Sequence, residues 1–324
     1  MLKFFTLPPI NVHWPYILVN ANRPKNGLRY LRHLPNFVWY YNVKDYVKEV
    51  LIDAGVEVFR YGITEYPEGW KRRIEKIVDL YYELRSFPIG TLHVVCPDYP
   101  SDYENLPEYP NIEKTVRNVL YCIDNYPEVP WVIPVQGKRE KPDSILDCIK
   151  YYEEFGITKR YDYFAIANLC VSRSNATIVN TIRIARDRLR NKKLHAFGLK
   201  MQGLAKVWRM INSADTMAWS RPCKIVDEVL LKPIGYLRKS RLKKFERAYF
   251  YGWFLTLTKK YNVQLEGIDP RRIEELFYSE VLSIIESEDV VKNVKHFMMK
   301  RYNRLLEKVL GDKYGETGVF SKRS

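Results

Sequence analysis

The sequence contains no Cys-x-x-Cys pair, and its five cysteines, Cys96, Cys122, Cys148, Cys170 and Cys223, are an odd number scattered along the chain. That argues against a disulfide framework and against a compact zinc site, so no metal is expected. No run approaches the ~20 consecutive apolar residues of a membrane helix. The opening "MLKFFTLPPINVHW" places prolines where a signal peptide needs an unbroken apolar region. The expectation is a cytoplasmic, reducing location with no membrane partner. No Gly-x-Gly-x-x-Gly follows the first apolar run, which weighs against dinucleotide binding. Internal repeats and low-complexity tracts are missing too. Acid is in deficit, 38 Asp plus Glu against 53 Lys plus Arg, a formal charge of +15. An excess of that size attracts polyanions, nucleic acid first.

What is present is a chain of 324 residues, 46% hydrophobic, enough for a sizeable core. Short apolar runs alternate with helix-length amphipathic stretches. Strands are expected at "YILVNA" (16–21), "FVWYY" (37–41), "VEVFRY" (56–61), "LHVVC" (92–96), "WVIPV" (131–135), "YFAIA" (163–167), "KLHAFG" (193–198) and "DTMAW" (215–219). Helices are expected between them, beginning with "VKDYVKEVLIDAG" (43–55) and its capping Gly55. Strand–helix alternation implies a parallel sheet, and eight such strands point to an α/β (β/α)8 TIM-type barrel. After Cys223 the pattern changes to helices with no clear strand. The expected organisation is therefore a barrel over 1–224 and a basic helical extension over 225–324.

Barrel chemistry sits where the strands end. Asp98 follows the fourth strand, Gln136 and Gly137 the fifth, and Asn168 the sixth. The seventh carries His195, Phe197 and Gly198, and the eighth is expected to begin at Asp215. Each has a plain structural explanation. Asp98 and Asp215 could cap the next turn, Gln136 could be a satisfied loop amide, and His195 and Phe197 could be packing residues. Their convergence on one end of a barrel favours a site.

Taken in order, "CPDYPSD", "VIPVQG", "FAIANLCV", "LHAFGLK" and "NSADTMAWS" resemble the tRNA-guanine transglycosylase superfamily over residues 15–225, closest to its DNA-acting branch. The resemblance implies an enzyme that replaces guanine in DNA with a free 7-deazaguanine, such as 7-cyano-7-deazaguanine, by double displacement at C1′. It implies Asp215 as nucleophile. Asp98 would accept from the N1–H and amine of guanine, while the Gln136 amide and Gly137 N–H would donate to O6. Asn168 stands at an altered glycine position of the strand-six motif. Phe197, with Tyr99, would wall the base, which must leave its stack to enter. No cofactor is required.

The alternatives are a tRNA-acting enzyme and a degenerate barrel that binds nucleic acid without exchange. Nothing after Cys223 supplies the Cys-rich zinc motif of the tRNA enzymes. The family's Asp-Ser-Gly element, whose aspartate moves a proton, is also missing. His33, Asn36 and Asp45 are the polar residues nearest its expected place. For phosphate contacts, "RIARDRLRNKK" offers Arg186 and Arg190, and "RKSRLKKFERAYFYGWF" offers Lys243, Lys244 and Arg247 among aromatics that could stack bases.

Overall fold

Short, fully apolar runs form the wall of a closed barrel because such strands are buried on both faces, by the lumen inside and by helices outside. The structure, a computed structural model, describes residues 1–9, 11–33, 47–61, 63–100, 110–170, 172, 174–220 and 239–285. Eight strands form one sheet: β1 Lys3–Phe5, β2 Tyr16–Asn20, β3 Glu49–Asp53, β4 Thr91–Val95, β5 Trp131–Val135, β6 Tyr163–Ile166, β7 Lys193–Ala196 and β8 Ser213–Asp215. From β2 to β8 each strand pairs in parallel with the next, and β1 pairs in parallel with β8. The ring closes at Thr6, which takes an N–H bond from Leu18 at 3.0 Å and gives one to the Tyr16 carbonyl at 3.2 Å. The fold is a (β/α)8 TIM-type barrel followed by a helical extension.

The helices between the strands are α1 Pro24–Arg32, α2 Trp70–Leu84, α3 Asn111–Asn125, α4 Ile145–Glu154, the single turn α5 Ile157–Arg160, α6 Asn175–Arg188 and α7 Met201–Val207. In α2 the residues Ile74, Ile77, Val78, Tyr81 and Leu84 recur at helical spacing and are all buried. Arg73, on the same helix, is buried too. Its guanidinium donates to the Ala54 carbonyl at 2.7 Å, the Gly55 carbonyl at 3.1 Å and Asn22 Oδ1 at 2.7 Å. It thereby pins the chain just beyond β3.

Several expectations are corrected. The segment 43–55 is not one helix, because its residues 49–53 form β3. Residues 56–61 form a 3-10 turn, not a strand, since the barrel position is already filled by β3. In that turn Phe59 packs on Tyr66 and Tyr99. The expected strand 37–41 lies outside the described residues. Strand eight ends at Asp215, where it was expected to begin there.

The chain divides into two compact units, Met1–Ala218 with Asn262–Gly267, and Trp219–Tyr261 with the residues from Ile268 onward. The expected boundary at 224 lies outside the described residues. The returning segment adds a parallel bridge between Leu265 and Leu2, and Glu266 accepts from the Tyr16 hydroxyl at 2.6 Å, at the end where the strands start. In the second unit α8 Lys239–Leu255 packs with α9 Pro270–Ile285, and Phe245, Phe250, Trp253, Phe254 and Phe277 are buried. Among the described residues of α8, then, the aromatic stripe is core and not a stacking surface.

Charged residues also line the barrel where the strands start. Glu49 accepts from Lys3 and faces His93 Nε2 at 3.2 Å. Burial alone would raise the Glu49 carboxyl, but the hydrogen bonds and charges of His93 and Lys3 override it and hold it down at about 2. The folded value lies below the unfolded one, so the stability it confers is full above pH 4.5 and is lost as the pH falls through about 2. Glu49→Gln is expected to remove at most about 3 kcal/mol at neutral pH and to flatten that acid limb. Urea unfolding midpoints for both proteins between neutral pH and pH 2 check it.

Candidate active site

At the opposite end of the barrel, β3, β8 and the segment after β4, with Asp98 three residues past Val95, deliver three carboxylates to one mouth. Asp53 is the last residue of β3 and was not anticipated from the sequence. Its Oδ2 accepts from Asn20 Nδ2 at 3.0 Å, and its Oδ1 faces the Gly55 N–H at 3.4 Å. The side chain is part-buried but ringed by protein. That burial, followed by the charges of Asp215 and Glu57 and, more weakly, Asp98, raises its carboxyl to about 8, against a contrary pull from the Gly55 N–H. A carboxyl raised by burial and by the charges of further acids at the end of a barrel marks a candidate functional site.

Asp215 is the last residue of β8. Its Oδ1 accepts from the Gly198 N–H at 2.9 Å and lies 3.1 Å from His195 Nε2. Gly198 adopts φ +59°, and a Cβ there would stand 2.6 Å from Cys170 Cβ, so only glycine lets this turn aim its N–H at the carboxylate. His195 is fully buried. Phe5 and Phe197 contact its ring edge-on, at 5.9 and 4.9 Å between centroids. Phe197 itself is half-buried.

Asp98 and Gln136 form the second half of the site. The Gln136 amide donates to Asp98 Oδ2, and the Tyr66 hydroxyl donates to the Asp98 carbonyl at 2.8 Å. Asn168, at φ +61°, donates its amide to the Gly137 carbonyl. Each amide thus spends one of its two N–H donors on the protein. Among the described residues their oxygens, Gln136 Oε1 and Asn168 Oδ1, are buried acceptors without a hydrogen-bond partner. Buried acceptors left unpaired are costly, and a ligand that donates to them recovers that cost. Gln136 Oε1 thus adds an acceptor to the site, while the second N–H of the amide keeps the donation to O6 that the resemblance implies. Gly137 is glycine for a local reason: a Cβ would meet Ile145 Cγ2 at 2.8 Å and Ser144 Oγ at 2.9 Å, where the next helix begins.

The remaining expected residues fall elsewhere. Tyr99 is fully buried between Phe59 and Tyr66, at 5.6 and 5.4 Å, and donates to Glu65 Oε2 at 2.7 Å, so its ring is not offered to a ligand. Arg186 spends its guanidinium on the Met210 carbonyl at 2.8 Å, the Lys192 carbonyl at 2.8 Å and Asn212 Oδ1 at 3.0 Å, holding α6 to the chain around β7 and β8. Arg190 donates to the Asp187 carbonyl at 3.2 Å. Arg247 makes a two-pronged pair with Glu280, at 2.5 and 3.0 Å. The side chains of Lys243 and Lys244 lie outside the described residues, as do Asn36 and Asp45, and His33 is an exposed helix end.

A cationic, aromatic surface does flank the mouth, on α2 and α3. Exposed Arg117 stacks 4.2 Å from the centroid of Trp70, exposed Lys71 lies 5.4 and 5.3 Å from Trp70 and Tyr121, and Lys114 lies 5.1 Å from Tyr99. Among the described residues no cluster of His, Cys, Asp and Glu has the arrangement of a metal site, and no helix is long and apolar enough to cross a membrane.

No family model matches this sequence, and no curated protein matches it. Among solved structures the chain is similar to DHDPS from Cyanidioschyzon merolae, solved with lysine bound, at 11% identity and TM-score 0.36 over 87% of this chain and 97% of that one. It is also similar to the carboxyl transferase domain of Rhizobium etli pyruvate carboxylase, solved with pyruvate, at 9% identity and TM-score 0.25 over 82% of this chain and 56% of that one. The barrel itself rests on the strand order and register described above.

Proposed function

We propose that this chain is a base-exchange transglycosylase that replaces guanine in DNA with a free 7-deazaguanine through a covalent bond from Asp215 to C1′. The observation that carries this reading is the meeting of Asp53, Asp98 and Asp215 at one mouth, with the Asp53 carboxyl raised to about 8. The resemblance in "NSADTMAWS" and its companion segments supplies the reaction class. The residues supply its steps.

Asp215 attacks C1′ through a carboxylate oxygen, and the C1′–N9 bond breaks with its electron pair moving to the base. Asp53, protonated at neutral pH, gives its proton to the departing guanine. The incoming base then loses its N9 proton to the Asp53 carboxylate and attacks C1′. The bond from C1′ to Asp215 breaks and the carboxylate is restored. Two inversions give net retention. A group near pH 8 can give and then take a proton under the same conditions. Asp53-Ala54-Gly55 would then stand where the family has Asp-Ser-Gly, with alanine for serine. This weighs against a degenerate barrel.

Asp98, Gln136 Oε1 and Asn168 Oδ1 present acceptors to the N1–H and amine edge of guanine, and Gly137 N–H is assigned to O6. Adenine would place an unprotonated ring nitrogen against those acceptors and leave them unpaired. Half-buried Phe197 is the wall left for the base once Tyr99 is withdrawn. The net charge and the Lys71–Trp70–Arg117 surface suit a phosphate backbone.

Incubation with radiolabelled guanine and either DNA or tRNA tests the proposal. Label is expected in DNA. Label in tRNA alone would move the assignment to the tRNA-acting reading. Label in neither, with tight binding retained, would leave a binding protein.

A further inference from the structure

The buried histidine behind the site belongs to a line of polar groups that runs into the barrel. His195 Nε2 lies 3.1 Å from Asp215 Oδ1, His195 Nδ1 lies 2.9 Å from Ser213 Oγ, and Ser213 Oγ lies 2.6 Å from the Tyr163 hydroxyl. His195 and Ser213 are fully buried, with at most 1% exposed. Polar groups at this depth are placed for a reason, since each costs free energy unless bonded.

An ionised carboxylate can only accept, so the nitrogen facing Asp215 must carry the proton. In a neutral imidazole the other nitrogen is then an acceptor, which obliges the Ser213 hydroxyl to donate to it. Ser213 Oγ is left to accept from Tyr163. Burial holds the Tyr163 phenol well above its ordinary range, which keeps it a donor. Every proton in the line therefore points toward Asp215. The His195 bond and the Gly198 N–H both fall on Oδ1, and among the described residues no bond falls on Oδ2, the oxygen left for chemistry.

We propose that His195 is a positioning residue for the nucleophile, with its tautomer fixed by Ser213 and Tyr163, and that it holds Oδ1 of Asp215 so that Oδ2 attacks C1′. This rests on the transglycosylase reading of Asp215. It adds an asymmetry between the two displacements. While the ester exists, Oδ1 is its carbonyl oxygen and carries little charge. When the C1′–Oδ2 bond breaks, the electron pair returns to the carboxylate and Oδ1 becomes anionic again. Two donors waiting on Oδ1 favour that departure, as preorganised donors do for any developing oxyanion. Removing one slows the second displacement more than the first, and the covalent intermediate accumulates.

Two measurements test this separately. Nitrogen-15 NMR of the imidazoles, with His195→Gln to assign the signal, is expected to show His195 neutral, protonated on Nε2 and accepting at Nδ1, and to show that Ser213→Ala disturbs it. A proton on Nδ1, alone or in an imidazolium, would overturn the line whatever the reaction is. In single-turnover assays on DNA, His195→Leu is expected to slow release of the adduct by about 10²-fold or more and to raise the trapped fraction. His195→Gln can still donate from its amide and is expected to stay within about tenfold of the wild type. Leucine and glutamine variants that lose activity equally, with no rise in adduct, would mean that the histidine merely packs. If the wild type forms no adduct at all, the transglycosylase reading fails, and the NMR result still decides the line.

Discussion

Asp215→Asn is expected to abolish covalent capture of DNA, lowering exchange by at least about 10⁴-fold, while binding is retained. The amide oxygen of asparagine can still accept from Gly198 N–H and face His195, so the mouth keeps its shape. What disappears is an anionic oxygen able to bond C1′. Denaturing electrophoresis after incubation without an incoming base reads the result directly, as a shifted protein–DNA band in the wild type. A band that persists in Asp215→Asn would remove Asp215 as nucleophile and reassign the attack to another carboxylate of the mouth.

Asp53→Asn is expected to lower exchange by about 10²–10⁴-fold, the usual scale for a proton-transfer group. The pH dependence gives it a sharper signature. Asp53 must be protonated for guanine to leave, so adduct formation in the wild type should fall as the pH rises through about 8. Asparagine cannot titrate, and that alkaline limb should vanish with the substitution. Stability should move the other way. The folded value of Asp53 lies far above its ordinary 3.8, so its contribution to stability is lost as the pH rises from there to about 8. An isosteric amide avoids the buried charge, and the variant should melt higher than the wild type above pH 8. Stopped-time adduct assays and thermal melts over the same pH series check both halves. An unchanged alkaline limb in the variant would assign it to a different group.

Much of this was readable in the chain because the central strands carry their own boundaries. The strands β5, β6 and β7 are buried on both faces and stop at polar or turn-forming residues, so apolar runs flanked by such signals located them to within a few residues. The strand β3 was hidden for the opposite reason. Its ends are Glu49 and Asp53, charges that a barrel tolerates because one meets Lys3 and His93 and the other faces the mouth. In one dimension those charges look like the polar face of a helix. The strand β1, with three residues, is too short for any period to emerge. Asp53 was missed along with its strand. Its carboxyl is raised first by burial and then by Asp215 on β8, neither of which a local window contains, although Glu57 nearby adds to the effect. Basic residues misled in another way: a charge count treats Arg186 and Lys71 alike, although one is spent on carbonyls and the other lies exposed against aromatic rings.

The bridge between Leu2 and Leu265 bears on the order in which the protein can be made. A ribosome releases Leu2 first, but the partner that takes up its backbone groups emerges only after the whole barrel and helix α8 have been synthesised. Until then Leu2 and the Tyr16 hydroxyl at the barrel floor must make do with solvent. The last stitch of the barrel spans nearly the full described chain, and closing so large a loop is slow relative to local helix and strand formation. A nascent chain stalled before residue 262 would hold the mouth in place over an unfinished floor, a species that holding chaperones and proteases could distinguish from the completed protein.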